Sequence, residues 1–221
     1  RQINKLHNIR HISTININGI TEDIIERSDY PISKCQDILK NQTVSIIGYG
    51  PQGKGQSLNL KDNNINVCLG LRKGPSWDEA LKDGWIEGQN LFEMEEACHT
   101  GTIIQYLLSD VGQIQQWDNI KQYLYEGDML YFSHGFGVVF HESTGIIPPE
   151  NIDVMLVAPK GSGLTVRNHF LAGRGINSSF AVHQDASGKA RERCIATAFA
   201  IGSGHLFETT FSNEVHSDLT G

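Results

Sequence analysis

Gly48-Tyr49-Gly50-Pro51-Gln52-Gly53 follows the apolar run Val44–Ile47 and leads into a segment of helical character. Three glycines at this spacing, set between a strand and a helix, suit the diphosphate of a dinucleotide. Gly48 permits the tight turn, Gly50 lets phosphate approach the backbone, and Gly53 lets the helix pack close to its strand. The helix amino terminus adds unpaired N–H donors and the positive end of a dipole. A glycine-rich turn without a ligand is the plainer reading, and the strand–turn–helix context argues against it. About 20 residues on, an NAD-binding chain would place an acid on the ribose hydroxyls. Here that position holds Arg72, Lys73 and Ser76, with no carboxylate before Asp78. Arg can grip a phosphate through two parallel hydrogen bonds, Lys adds point charge and Ser adds a donor. That chemistry favours the 2′-phosphate of NADPH over a bare ribose; a solvated basic turn is the alternative.

Similar chemistry recurs where other apolar runs stop: Ser109-Asp110 after Thr102–Leu108, Ser133-His134-Gly135 after Met129–Phe132, and Pro159-Lys160-Gly161 after Val154–Val157. Asn66–Leu71, Ser179–Val182 and Leu206–Thr210 complete the strand candidates. The polar stretches between read as helices at Lys54–Lys61, Trp77–Lys82, Leu91–Cys98, Ile114–Leu124, Thr165–Leu171 and Lys189–Ile201, with a shorter one at Ile32–Lys40. Near-continuous apolar strands alternating with helices predict an α/β fold, a doubly wound parallel sheet of Rossmann type with helices on both faces. Right-handed crossovers put all the strand carboxyl ends on one edge, where ligands of such sheets bind. Residues 31–211 form this domain, residues 1–30 read as an irregular amino-terminal extension, and residues 212–221 begin something further.

Of 221 residues, 39% are hydrophobic and 19% charged, with 23 Gly and 6 Pro, which excludes collagen-like and highly charged disordered chains. No apolar run approaches the roughly 20 residues of a membrane span, so no membrane partner is expected. A net charge of −7 argues against nucleic acid as a partner. Cys35, Cys68, Cys98 and Cys194 are scattered without a C-x-x-C pair, which fits a reducing compartment and neither a disulfide framework nor a zinc knuckle. Arg1, Lys5 and Arg10, with no acid before Glu22, fit either the tail of an organellar presequence or an ordinary surface extension. The first reading means a mitochondrial protein, the second a bacterial cytoplasmic one. Trp77, Trp85 and Trp117 are expected to pack helices on the sheet.

Taken in order, Ile46–Gly53, Asn59-Leu60-Lys61-Asp62, Gly70-Leu71-Arg72, Ser133–Phe136, Val157–Lys160 and Ser217-Asp218 resemble the ketol-acid reductoisomerases (acetohydroxy acid isomeroreductases) from about Ile20 onward. Gly173–Ser179 and Gly202-Ser203-Gly204 are most similar to the fungal mitochondrial and Bacteroidetes branches. The resemblance implies an NADPH- and Mg²⁺-dependent enzyme of branched-chain amino-acid synthesis. Its substrates would be 2-acetolactate and 2-aceto-2-hydroxybutyrate, transformed by alkyl migration and then hydride reduction. It further implies that Tyr49, Gly50, Pro51, Gln52, Arg72, Asp110, Val111, Gly112 and Gly163 lie near the cofactor. His134 and Lys160 would be active-site residues and Asp218 a magnesium ligand. Such a migration needs a hydroxyl deprotonated and a carbonyl polarised together, which magnesium held by oxygen ligands can do.

The family's second domain, all-helical and knotted, is absent from this sequence, and the second acid of the magnesium motif would follow Gly221 directly. The expectation is a cofactor domain that is catalytically incomplete alone, partnered by the helical domain and homo-oligomeric when complete. The competing readings are another NADPH-dependent dehydrogenase of β-hydroxyacid type, against which the His134 and Lys160 loops argue, and a non-catalytic NADPH-binding module.

Overall fold

The structure is a computed structural model and describes residues 13–17 and 19–220. A hairpin comes first, of β1 (Ser13–Ile17) and β2 (Ile20–Glu26), and is followed by α1 (Ile32–Leu39). Next come β3 (Val44–Ile47), α2 (Pro51–Asp62), β4 (Val67–Gly70), α3 (Pro75–Lys82), β5 (Leu91–Phe92), α4 (Met94–Thr100), β6 (Ile103–Tyr106) and α5 (Asp110–Ile120). A short 3₁₀ turn, Lys121–Tyr123, leads to β7 (Met129–Phe132), α6 (Phe136–Val139), α7 (His141–Thr144), β8 (Asp153–Pro159) and α8 (Gly163–Leu171). The chain closes with β9 (Ile176–Gln184), α9 (Ala190–Ala200), β10 (Ser203–Glu208) and α10 (Phe211–Thr220).

All the strands join one sheet in the order β1-β2-β10-β9-β8-β7-β6-β3-β4-β5. From β5 to β8 every pairing is parallel, and the crossover order on either side of β3 is that of a doubly wound dinucleotide fold. Strands β3, β4, β6 and β7 are buried along their whole length, which is why they read as continuous apolar runs. One core lies under α1, α2, α3 and α9, and another under α4, α5, α6 and α10, so both faces are covered as expected. Trp77, Trp85 and Trp117 are buried in these layers. The four cysteines are free and buried, and burial raises the thiols of Cys35 and Cys68 to about 11.

Several local expectations are corrected. Residues 13–17 and 20–26 are not irregular: β2 pairs antiparallel with β10 and carries β1 on its outer side, extending the sheet. Leu91–Phe92 is a short edge strand and the helix starts only at Met94, because the apolar pair docks on β4. Nor do all strand carboxyl ends share one edge. Strand β9 runs antiparallel to β8, and β10 follows the direction of β9, so the common edge belongs to the strands from β5 to β8. Residues 1–12, carrying the basic amino-terminal stretch, lie outside the described residues. Among the described residues no helix is long and apolar enough to cross a membrane.

Candidate functional site

The carboxyl edge of the parallel strands is built around Gly48. Its φ of +106° is left-handed, and a side chain there would also meet the Leu107 carbonyl oxygen at 2.8 Å. A Cβ at Gly53 would stand 2.2 Å from the Gly48 carbonyl oxygen, so α2 starts directly on the strand end. At Gly50 a Cβ would meet nothing within 4 Å. No side chain caps α2, and Pro51 occupies its start, which leaves the following amides open to an anion. The Tyr49 ring is turned inward: its hydroxyl donates to Asp83 at 2.9 Å and accepts from Trp85 Nε1 at 3.0 Å. Burial, followed by the bond to the Asp83 carboxylate, holds this phenol well above its ordinary range.

Two clefts flank this loop. The first, about 400 Å³, lies over the ends of β3 and β4 and is lined by Gly48, Tyr49, Gly50, Arg72, Lys73, Ser76 and Ser109, with no carboxylate in its walls. Its two cations are not equivalent. Lys73 Nζ sits 2.5 Å from Glu87 Oε1 and 3.6 Å over the Trp77 ring. Arg72 is exposed and forms no ion pair among the described residues. The second cleft, about 290 Å³, lies over β6, β7 and β8 and includes Gln52, Asp110, Ser133, His134, Pro159 and Asp218. Leu107 and Leu108 line both, so the two adjoin along the edge.

His134 follows β7 on a turn whose Gly135 backbone is packed by Phe211 and Val215 of α10; a Cβ at Gly135 would meet them at 3.0 and 3.1 Å. The ring stacks on Phe136 and its Nδ1 lies 3.0 Å from Asp218 Oδ2. Lys160, after β8, places Nζ 2.5 Å from Oε1 of Glu214, whose side chain is only 3% exposed. Glu214 is a site residue that the sequence reading passed over. The spacing that could have found it is i, i+4 to Asp218, with Phe211 and Val215 as the apolar stripe of the same helix. Six expected residues line neither cleft. Pro51 and Gly53 form the start of α2, Val111 and Gly112 lie on α5, Lys160 stands beside the second cleft, and Gly163 is buried against Pro51.

The cradle fits a dinucleotide: a Cβ-free approach at Gly50, open amides on α2, and an acid-free cleft with a free guanidinium. The fit to magnesium is incomplete. Asp218 offers one half-exposed carboxylate, Glu214 is held by Lys160, and no cluster of three His, Cys, Asp or Glu side chains able to hold a metal occurs among the described residues. No step below is routed through a metal.

Comparison with known proteins agrees with this geometry. Residues 38–206 match the acetohydroxy acid isomeroreductase NADPH-binding domain. Over 209 residues the chain is 53% identical to the ketol-acid reductoisomerase (NAD(+)) of Desulfosudis oleivorans, covering 94% of this chain and 59% of that protein. It is also 53% identical over 214 residues to the mitochondrial ketol-acid reductoisomerase of Neurospora crassa, covering 96% of this chain and 53% of that protein. Among solved structures, an NADH-preferring ketol-acid reductoisomerase from an uncultured archaeon superposes with a TM-score of 0.81 at 37% identity, over 90% of this chain and 59% of that one. The chain thus spans little more than half the length of the curated relatives it matches. On its sequence motifs, its doubly wound sheet and these similarities, the chain belongs to the ketol-acid reductoisomerase (acetohydroxy acid isomeroreductase) family and carries that family's dinucleotide-binding domain.

Proposed function

We propose that this chain binds NADPH and presents its nicotinamide to the second cleft, as the cofactor half of a ketol-acid reductoisomerase. The whole enzyme would convert 2-acetolactate to 2,3-dihydroxyisovalerate, and 2-aceto-2-hydroxybutyrate likewise. The observation that carries this reading is the pairing of an acid-free, Arg72-bearing cleft with an adjoining one that holds His134 and Asp218. The amides of α2 hold the diphosphate, Arg72 and Ser76 hold the 2′-phosphate, and Ser109 and Asp110 border the path between the clefts. His134, hydrogen-bonded to Asp218, is placed to orient water or pass a proton at its free Nε2. Lys160, fixed by the buried Glu214, is placed to stabilise negative charge developing on a substrate oxygen. Magnesium, when bound, would supply Lewis acidity, with Asp218 as one oxygen donor. The remaining ligands and the substrate pocket belong to the helical partner domain, and the complete enzyme is a homo-oligomer.

A second reading, use of NADH, is favoured by the names of two of the relatives reported above. Calorimetric titration of the chain with NADPH and NADH separates the two, and turnover of 2-acetolactate with the helical half supplied tests the activity. Failure to bind either dinucleotide would remove the reading. We read the compartment as the mitochondrion, with the bacterial cytoplasm as the alternative; import of a reporter fused to residues 1–30 distinguishes them.

A further inference from the structure

Beneath α2 a chain of polar groups centred on the buried Gln56 ties the helix to the sheet. Gln56 is fully buried on the face of α2 that meets the sheet. Its Oε1 accepts from the Tyr131 hydroxyl at 2.8 Å, and its Nε2 donates to Ser133 Oγ at 2.9 Å and to Gln52 Oε1 at 3.0 Å. Gln52 Nε2 in turn donates to the Gly161 carbonyl at 2.9 Å. Ser133 directly precedes His134, and Gly161 directly follows Lys160. Two residues one helical turn apart on α2 therefore reach both loops that carry the candidate catalytic side chains. The same junction is closed from outside, where a Cβ at Gly163 would fall 1.6 Å from the Pro51 carbonyl oxygen. An apolar side chain of similar size at position 56 would fill the space under α2 without desolvating an amide, and burying an amide is favourable only when its bonds are made.

We propose that Gln56 is a positioning residue: branching through Ser133 and Gln52, it fixes the His134 turn and the Lys160 loop against the dinucleotide cradle. The inference rests on the functional reading above, since it assigns a purpose to the loops that reading makes catalytic. A linked polar network of this kind holds its members more firmly than separate bonds do, and catalytic groups need placement to within a fraction of an ångström.

The test is amide hydrogen exchange of the chain, with and without NADPH, in Gln56→Met and Ser133→Ala. In Gln56→Met, segments 133–140 and 160–163 exchange at least tenfold faster than in the parent chain, while β3 and β6 are unchanged. The dissociation constant for NADPH stays within threefold, but the emission of the bound reduced nicotinamide shifts. Ser133→Ala speeds only segment 133–140, because the Gln52–Gly161 branch survives, and it provides the test should Gln56→Met not fold. Equal acceleration over the whole sheet, or unchanged exchange in both loops, overturns the proposal. Absence of NADPH binding by the parent chain would instead remove the functional reading, and the cofactor-free comparison would still decide whether Gln56 holds the loops.

Discussion

Replacing Arg72 by Glu separates the two dinucleotides. In the first cleft Arg72 is the cation without an internal partner, and no carboxylate lines the walls. A charge-assisted hydrogen bond contributes about 1.5–3 kcal/mol, and the site is open to solvent, so a loss of about 2 kcal/mol is expected for NADPH. That is roughly a 30-fold rise in its dissociation constant. NADH lacks the phosphate, and its affinity should change by less than about threefold, or roughly 0.6 kcal/mol. Lys73 behaves differently, because Glu87 and the Trp77 ring already hold its ammonium, with Lys73 and Glu87 side chains 52% and 60% exposed. Lys73→Ala should cost less than about 1 kcal/mol, the range of an exposed pair, and Glu87→Gln should strengthen NADPH binding slightly by freeing the lysine. Calorimetry of each variant against both dinucleotides, at fixed low salt because phosphate contacts are screened, gives the ratios. Equal loss of NADPH and NADH in Arg72→Glu, or a larger loss in Lys73→Ala, would refute the assignment of 2′-phosphate recognition to Arg72.

Two glycines of the site should part company: Gly163→Ala drives a methyl into the Pro51 backbone and should cost about 1–3 kcal/mol, read as a lower Tm, whereas Gly50→Ala meets open space and should fold normally but bind NADPH weakly. Arg193→Met leaves the fully buried Asp153 without its cation and removes the guanidinium bond to the Gly127 carbonyl. A loss of about 3–5 kcal/mol is expected by denaturant unfolding, and a loss under 1 kcal/mol would contradict the network's role. Asp83 is pushed up by desolvation, but its bonds from Lys54 and Tyr49 outweigh this and its carboxyl lies below the ordinary value. Its contribution to stability is therefore present above about pH 4 and is lost as the pH falls through the lowered native value. Asp83→Asn should flatten the acid limb of Tm against pH.

The parallel half of the fold was legible because its strands are buried on both faces. Val44–Ile47 and Met129–Phe132 were placed to the residue, since glycine or serine stops each apolar run. The hairpin of β1 and β2 was missed for the opposite reason. Half-exposed edge strands alternate, as Ser-Thr-Ile-Asn-Ile does, and such a run has little apolar weight. Strand direction is not written locally, so the reversal at β9 could not be read from its own residues. The dinucleotide loop and the cations of the first cleft were legible from type and spacing. Glu214, Gln56 and the Glu87 clamp on Lys73 were not, because each acquires its meaning from a partner more than a dozen residues away.

Helix α10 lies with Phe211 against Phe132 and His183 and with Asp218 at His134, so it climbs the sheet face toward the functional edge. Helices α2, α5 and α8 start at that edge instead. The rim is therefore electrically graded: partial positive charge from three amino termini gathers around the glycine loop, and the Asp218 carboxylate stands beside His134 at the other end. A ligand with an anionic waist and a ring that becomes cationic on giving up hydride has only one comfortable direction along such a gradient, which orients it before any specific contact forms.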